Sequence, residues 1–409
     1  MQLRKYQQTA VERMLWALTI PGNSLLSLPT GAGKSHIIAE FVAKVNQPVL
    51  VFTPSKELLE QDYEKLCNVI PKENIGIFSA SKGTKDINTI TIATIQSAYK
   101  HPELFRHYKV VIIDEASGVN PKSLDGMYNS FLKAIGSPKV IGLDATCFRL
   151  DTFYRATGQP WQPYETVTTT KILTRYKEMF WRQFVCVINT QDLMNAGYLS
   201  PLVYEDHSFY KHEELKTNKS ASDFDLEAFD ELMGSKEPEM AEKIVYGQNY
   251  LHKSSLVFCS SLEQAKRLSR AILGSRVVSS ETPTKERESI IKDFKDGSIK
   301  TVLNMGVLTR GFDHPGLDAI YMIRPTKSIN LYCQMLGRGT RLAEGKNNCT
   351  VYDFAGNLRS IGTLESVKIE KVDSKWNVTT NRFPTGAHYK ELYSFKISGP
   401  HPAIEGVTA

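Results

Sequence analysis

Three groups of residues have the types and spacing for chemistry on a polyphosphate. The first is Leu28–Ser35, LPTGAGKS. Gly31 and Gly33 let the backbone turn without a Cβ penalty, so amides from Thr30 through Ala32 and Gly33 can point at phosphate oxygens. Lys34 adds a point charge and Ser35 a hydroxyl suited to Mg²⁺. The full G-x-x-x-x-G-K-[ST] pattern asks for glycine at position 28, where leucine stands. The second group closes Val110–Ser117, VVIIDEAS, an apolar run ending in two carboxylates. Asp114 can hold Mg²⁺ through water and Glu115 can polarise the water that attacks a γ-phosphate. Side chains alternate along a strand, which would give the two carboxylates different tasks. The third is Gln334–Arg341, QMLGRGTR, whose Arg338 and Arg341 are three apart. On a helix that is about one turn, so both guanidinium groups would face one target. Each group also has a plain alternative: a glycine-rich turn, a surface acidic pair and a solvated basic helix.

The elements that must position these groups follow from apolar patterning. Short continuous apolar runs at Ser24–Leu28, Val49–Thr53, Ile75–Ser79, Thr89–Thr94, Val110–Asp114 and from Lys139 predict strands buried on both faces, with helices between them. Leu3, Arg4, Tyr6 and Gln7 open an amphipathic helix through Leu18, and the Gln7 amide matches the donor and acceptor of an adenine edge. Pro54 and Ser55, and likewise Thr94 and Gln96, stand where a strand gives way to a helix; such a step either binds a nucleic-acid phosphate or caps the helix. From Thr152 to Pro201 periodicity weakens and aromatics such as Phe153, Trp161 and Trp181 mix with basic residues, which suits either a nucleic-acid surface or a bridging helix with buried rings. A polar, acidic stretch from Glu205 to Glu242 reads as a linker with short helices. At Ser255 the strand and helix alternation restarts, with strands at Ser255–Ser260, Lys300–Asn304 and Ala319–Ile323. The expected fold is α/β, with two parallel sheets flanked by helices, divided as 1–165, a linker 166–242, 243–360 and a C-terminal extension 361–409 of unread role.

At 409 residues the chain exceeds one ordinary core, which supports that division. A net charge of +6 admits a nucleic-acid partner without demanding one. The six cysteines are scattered with no C-x-x-C, and no H-E-x-x-H occurs, so neither a disulfide framework nor a zinc site is expected. The start MQLRKYQQTA has no apolar signal core and no run approaches a membrane span, so a cytoplasmic location and no membrane partner are expected.

Taken in order, LRKYQ, LPTGAGKS, FTPS, TIQS, DEAS, DATCFR, VFCSS, LTRGFD and QMLGRGTR resemble the motifs of superfamily 2 helicases, over residues 1 to about 355. Within that superfamily the later motifs and YDFAGN are similar to RadD-type repair ATPases and to phage UvsW-type recombination helicases. The resemblance implies two tandem RecA-like domains. It implies ATP and Mg²⁺ at Thr30 to Ser35, Asp114 and Glu115, with Arg4 and Gln7 at the base. It implies Gly311, Asp313, Arg338 and Arg341 as the other half of the cleft, the arginines as fingers. Pro54, Ser55, Thr94, Gln96, Ser260 and Thr309 match backbone-contacting positions on nucleic acid. The implied activity is ATP-driven unwinding, fork reversal or branch migration of duplex, forked or branched DNA in repair, recombination or replication, with single-strand-binding or recombination proteins as partners. Two departures stand out: Asp144 replaces the usual Ser or Thr of the S-A-T motif, leaving Thr146 as the relay, and Cys147 stands where proline is common. Asp144 motivates a rival reading, a nucleotide-gated DNA-binding ATPase without motor action. An RNA helicase is a third.

Overall fold

The structure, a computed structural model, describes residues 2–380 except 124, 160, 161, 178, 179, 221, 310 and 373, and within 152–169 the backbone alone. Helices α1 (Lys5–Ala17), α2 (Lys34–Lys44) and α3 (Lys56–Cys67) belong to the first half. Its strands are β1 (Asn23–Ser27), β2 (Val49–Phe52), β3 (Ile75–Ser79), β4 (Thr84–Lys85), β5 (Ile90–Ala93), β6 (Val110–Asp114) and β7 (Lys139–Asp144). A long antiparallel hairpin follows, β8 (Phe148–Gln159) and β9 (Gln162–Ile172), and then β10 (Trp181–Val187). One eight-stranded sheet takes the order β10-β1-β7-β6-β2-β5-β3-β4, parallel except at β4. The runs VLVF and VVIID are buried at every residue, as strands covered on both faces must be.

The second half holds β11 (Leu202–Asp206), β12 (Ser255–Phe258), β13 (Arg276–Val278), β14 (Thr301–Asn304), β15 (Ala319–Met322) and β16 (Cys349–Asp353). These form a parallel sheet in the order β11-β16-β15-β12-β14-β13. Two largely parallel sheets in series are the architecture that the apolar runs predict.

Three expectations change. The bridging helix, one of two readings of Thr152–Pro201, is not formed among the described residues: the stretch gives the β8–β9 hairpin up to Ile172 and then β10, in keeping with the strand preference of β-branched runs such as TVTTTK. Trp181 is fully buried in edge strand β10 and is core rather than a stacking surface. The side chains of Phe153 and Trp161 lie outside the described residues. Finally, β10 joins the first sheet and β11 the second, so residues expected in a linker complete both sheets. The alternation in WRQFVCV is too short to separate an edge strand from a connecting segment on pattern alone.

The chain then returns to the first half. β17 (Lys368–Val372) and β18 (Lys375–Thr379) form a hairpin. Ile369 N–H donates to Asn189 Oδ1 at 3.0 Å, Arg175 Nη1 donates to Asn377 Oδ1 at 2.9 Å, and Trp376 meets Phe184 at 5.1 Å between ring centroids. The segment expected as an extension of unread role therefore straps the second half to the first. Residues 381–409, including LYSFKIS, lie outside the described residues.

His314 sits under Phe294, at 4.9 Å, with Nε2 2.7 Å from Ser254 Oγ. Burial, aided by the Lys295 and Lys346 charges and opposed by Asp313 and Asp318, lowers its imidazole to about 4. A histidine held neutral in the fold contributes stability above the unfolded value of about 6.5 and loses it as pH falls towards the folded value. Between pH 7.5 and 5 the second half should lose about 2 kcal/mol from this group. Thermal melts of wild type and His314→Gln at both pH values check this, the variant showing the smaller drop.

Candidate active site

Strands β1, β7 and β6 are neighbours, so the loops leaving their C-terminal ends converge, as ligand-binding loops do in open parallel sheets. The loop after β1 carries Gly31 at φ 94° and Gly33 at φ 76°. Both angles favour glycine. A Cβ on Gly31 would also lie 2.5 Å from Arg341 Nη1 and 2.6 Å from Leu199. Gly33 caps α2, which opens with Lys34 and Ser35, so its free amides and dipole face the space before them. The carbonyl of Ala32 is held twice, by Tyr6 Oη at 2.8 Å and Gln7 Nε2 at 3.0 Å. Gln7 Oε1 accepts the Arg4 N–H at 3.0 Å. One N–H and one lone pair of the Gln7 amide are left for a base edge. Arg4 lies over the Tyr198 ring at 4.8 Å.

Glu115 leaves β6 with φ 56° and ψ 58°, a left-handed conformation that costs a non-glycine residue about 1 kcal/mol and recurs at functional sites. This turn, rather than simple alternation along a strand, separates the carboxylates: Glu115 meets Lys34 at 3.3 Å, while Asp114 stays buried. Burial alone would lower the Lys34 ammonium, but Glu115, Asp114 and Asp144 hold it above its usual value. Burial pushes the Asp114 carboxyl well up, and the nearby Asp62 charge pushes the same way. Asp114 Oδ1 has no hydrogen-bond partner among the described residues. An orphaned buried carboxylate oxygen beside a hydroxyl and a phosphate-binding loop fits a hydrated divalent cation, and Ser35 and Asp114 are the residues that would hold it.

Asp144 is fully engaged. Its Oδ2 accepts Ser117 N–H at 2.6 Å, and its Oδ1 accepts the Thr146 N–H at 2.7 Å and hydroxyl at 3.1 Å. It thus ties the DEAS turn to the DAT turn, a link that a shorter serine side chain would make with one oxygen instead of two.

The second half supplies the facing wall. Lys34, Asp114, Glu115, Gly311, Asp313, Arg338 and Arg341 line one cleft of about 660 Å³ between the halves. The helix expected to carry the arginines stops at Leu336, so both lie on the turn after it. They also point apart. Arg338 donates to the Thr309 and Phe312 carbonyls at 2.6 and 2.5 Å, bracing its own loop. Arg341 Nε pairs with Asp313 at 2.6 Å and extends towards Gly31. Burial would raise the Asp313 carboxyl, yet the Arg341 charge holds it below the usual range. Two residues that sequence reasoning passed over support this wall. Lys346 Nζ donates to the carbonyls of Gly339, Arg341 and Pro315, at 2.7, 2.8 and 3.3 Å, and Gln61 Nε2 crosses from α3 to Gly311 O at 2.9 Å. A Cβ on Gly337 would fall 2.6 Å from Thr30, so glycine permits this close approach of the halves.

A wider groove of about 1010 Å³ is lined by Ser117, Arg149, Thr309, Ser328, Asn330 and Gln334, drawn from both halves. Of the six nucleic-acid candidates, Thr309 alone lines it. Ser55 caps α3 through Leu58 N–H at 3.3 Å, Thr94 Oγ1 is 2.8 Å from Ser97 Oγ, and buried Ser260 Oγ donates to Gln264 at 2.9 Å. Half-buried Pro54 and exposed Gln96 lie near those caps, outside the groove. Arg149 closes the DATCFR motif, but neither it nor Asn330 stood among the nucleic-acid candidates; their place in the groove comes from topology.

Residues 1–149 match the family profile described as type III restriction enzyme, res subunit, and residues 236–343 match the helicase conserved C-terminal domain. The chain belongs to the superfamily 2 helicases. It is 28% identical over 392 residues to the Saccharomyces cerevisiae protein named "Putative ATP-dependent helicase IRC3", covering 89% of this chain and 53% of that one. To the DNA 3'-5' translocase XPB2 of Sulfurisphaera tokodaii it is 25% identical, covering 82% and 78%. This superfamily 2 chain thus spans about half the length of the yeast relative. Its fold matches Mycobacterium smegmatis helicase Lhr bound to ssDNA and AMP-PNP, with TM-score 0.53 and 18% identity over 86% of this chain and 46% of that one.

Proposed function

We propose that this helicase-family chain hydrolyses ATP and uses the cycle to translocate on, unwind or remodel duplex or branched DNA. The observation that carries the reading is the DEAS turn, which serves two cavities at once. Glu115 lines the cleft with Lys34 and Arg341, while Ser117, two residues on, lines the groove with Arg149 and Thr309. Asp144 holds Ser117 by its amide, so a shift of the acidic turn would be felt in the groove.

In the cleft the phosphate-loop amides and Lys34 bind the polyphosphate. Glu115 orients the attacking water and takes its proton. Arg341, held by Asp313 on the opposite half, stabilises charge that develops on the transferred phosphoryl oxygens. A divalent cation at Ser35 and Asp114 would supply charge neutralisation between the phosphates. Because the two walls belong to different sheets, losing the γ-phosphate removes a reason for them to stay together. DNA is preferred to RNA because relatives such as the XPB2 protein are named as DNA translocases or helicases. The link between DEAS and the groove also favours a motor over a nucleotide-gated binder. Repair or recombination is the proposed setting.

Strand displacement from a forked duplex tests this reading. ATP-dependent release of the labelled strand, or branch migration of a four-way junction, is expected. Binding of DNA that changes with nucleotide while no strand is ever moved would favour the gated binder, and greater stimulation by RNA would overturn the choice of DNA.

A further inference from the structure

Helix α3 buries Leu59, Asp62 and Leu66 on one face. The spacing is that of an apolar stripe, and Asp62 occupies a place in it where an aliphatic side chain would pack. It is fully buried, and neither carboxylate oxygen has a hydrogen-bond partner among the described residues. Acids are seldom fully buried without a partner, because desolvating a carboxylate is costly. What surrounds Asp62 is the nucleotide site: the Ser35 hydroxyl and Lys34 ammonium act on it favourably, and Asp114 and Glu115 crowd it with like charge.

We propose that Asp62 is a positioning residue for the divalent cation, acting behind Ser35 as the acceptor for the serine hydroxyl and for cation-bound water. The inference rests on the nucleotide-site reading above. A hydroxyl that coordinates through its oxygen would have its hydrogen to direct elsewhere, and an adjacent carboxylate would accept it in a hydrogen bond. Outer partners of this kind orient the ligands of a cation and raise its affinity. Charge points the same way. Asp144 is satisfied by the Ser117 and Thr146 amides and Glu115 pairs with Lys34, so the unmatched charge on this side of the cleft falls on Asp62 and Asp114. A dication completes the set. Nothing in the ELLEQDYEKL stretch marks the residue apart from its neighbours Glu57, Glu60 and Glu64, which are all surface acids.

The test is Mg²⁺-dependent binding of a fluorescent ADP to the full chain, measured in EDTA and across a Mg²⁺ titration, for wild type, Asp62→Asn and Asp62→Leu. Asparagine keeps the shape and removes the charge. Leucine restores the apolar stripe, so at least one variant folds, as thermal melting will show. Both should need about ten- to a hundredfold more Mg²⁺ for half-maximal effect, with affinity in EDTA retained or tightened, because one carboxylate fewer repels the nucleotide. Wild-type Mg²⁺ dependence in the folded variants, with a raised melting temperature, would make Asp62 a merely structural buried acid and overturn the proposal. Failure of wild type itself to bind nucleotide with Mg²⁺ would instead remove the nucleotide-site reading, and Asp62's role with it.

Discussion

Replacing Arg341 with alanine is expected to slow ATP hydrolysis about a thousandfold, the lower end of what arginine fingers contribute, while nucleotide affinity changes only a few-fold. Among the described residues of the cleft, Arg341 is the cation that reaches from the second half towards the phosphate loop, standing where a side chain on Gly31 would be. Its partner Asp313 aims it, so the two should behave as a unit. A double variant, Arg341→Ala with Asp313→Asn, should hydrolyse as slowly as Arg341→Ala alone. That comparison separates lost transition-state charge from the disturbance of leaving Asp313 without its guanidinium. Arg338→Ala should also be slow, for a different reason: its carbonyl contacts brace the loop that carries Asp313, so its loss should lower the melting temperature as well. Steady-state kcat, fluorescent-nucleotide affinity and thermal melts together distinguish the two arginines.

Glu115→Gln should lower turnover by about a hundred- to ten thousandfold, as expected for loss of a general base, and should bind ATP at least as tightly as wild type. Tighter binding follows from the local charge. Glu115 sits with Asp62, Asp114 and Asp144 around a single lysine, so removing one carboxylate eases the approach of an anionic polyphosphate. The shape of the turn should persist because the amide is isosteric. The left-handed backbone at position 115 is a property of the turn, not of the charge. Single-turnover hydrolysis alongside equilibrium binding checks both halves of the expectation; equal turnover after the substitution would remove Glu115 from the mechanism.

Strand ends were the most legible part of the site. LPTGAGKS and VVIIDEAS each follow a continuous apolar run, and a doubly covered parallel strand leaves little choice about where its C-terminal loop emerges. Pattern could not show which strands lie side by side, and it is the adjacency of β1, β7 and β6 that brings Asp144 to Ser117. Arg341 was legible as a residue but not in its setting, since Gly337 ends the helix early and frees the turn to approach Thr30. Asp62 was hidden by its acidic neighbours until burial singled it out. The hairpin β8–β9 and edge strand β10 escaped because aromatic and threonine-rich strands in a separate hairpin or at a sheet edge show neither a helical period nor clean alternation. The strap at β17–β18 falls in the extension of unread role, and its partner, the first half of the chain, is a tertiary choice no local pattern encodes.

The central claim is that hydrolysis in the cleft and DNA in the groove are coupled through one turn. It is tested most directly by ATP turnover of the purified chain with and without forked duplex DNA, at saturating nucleotide. Turnover that rises with DNA in wild type, and in Ser117→Pro, which removes the amide held by Asp144, stays at the DNA-free level with nucleotide affinity retained, is the predicted result. Turnover indifferent to DNA in wild type, or stimulated as strongly in Ser117→Pro, would contradict it.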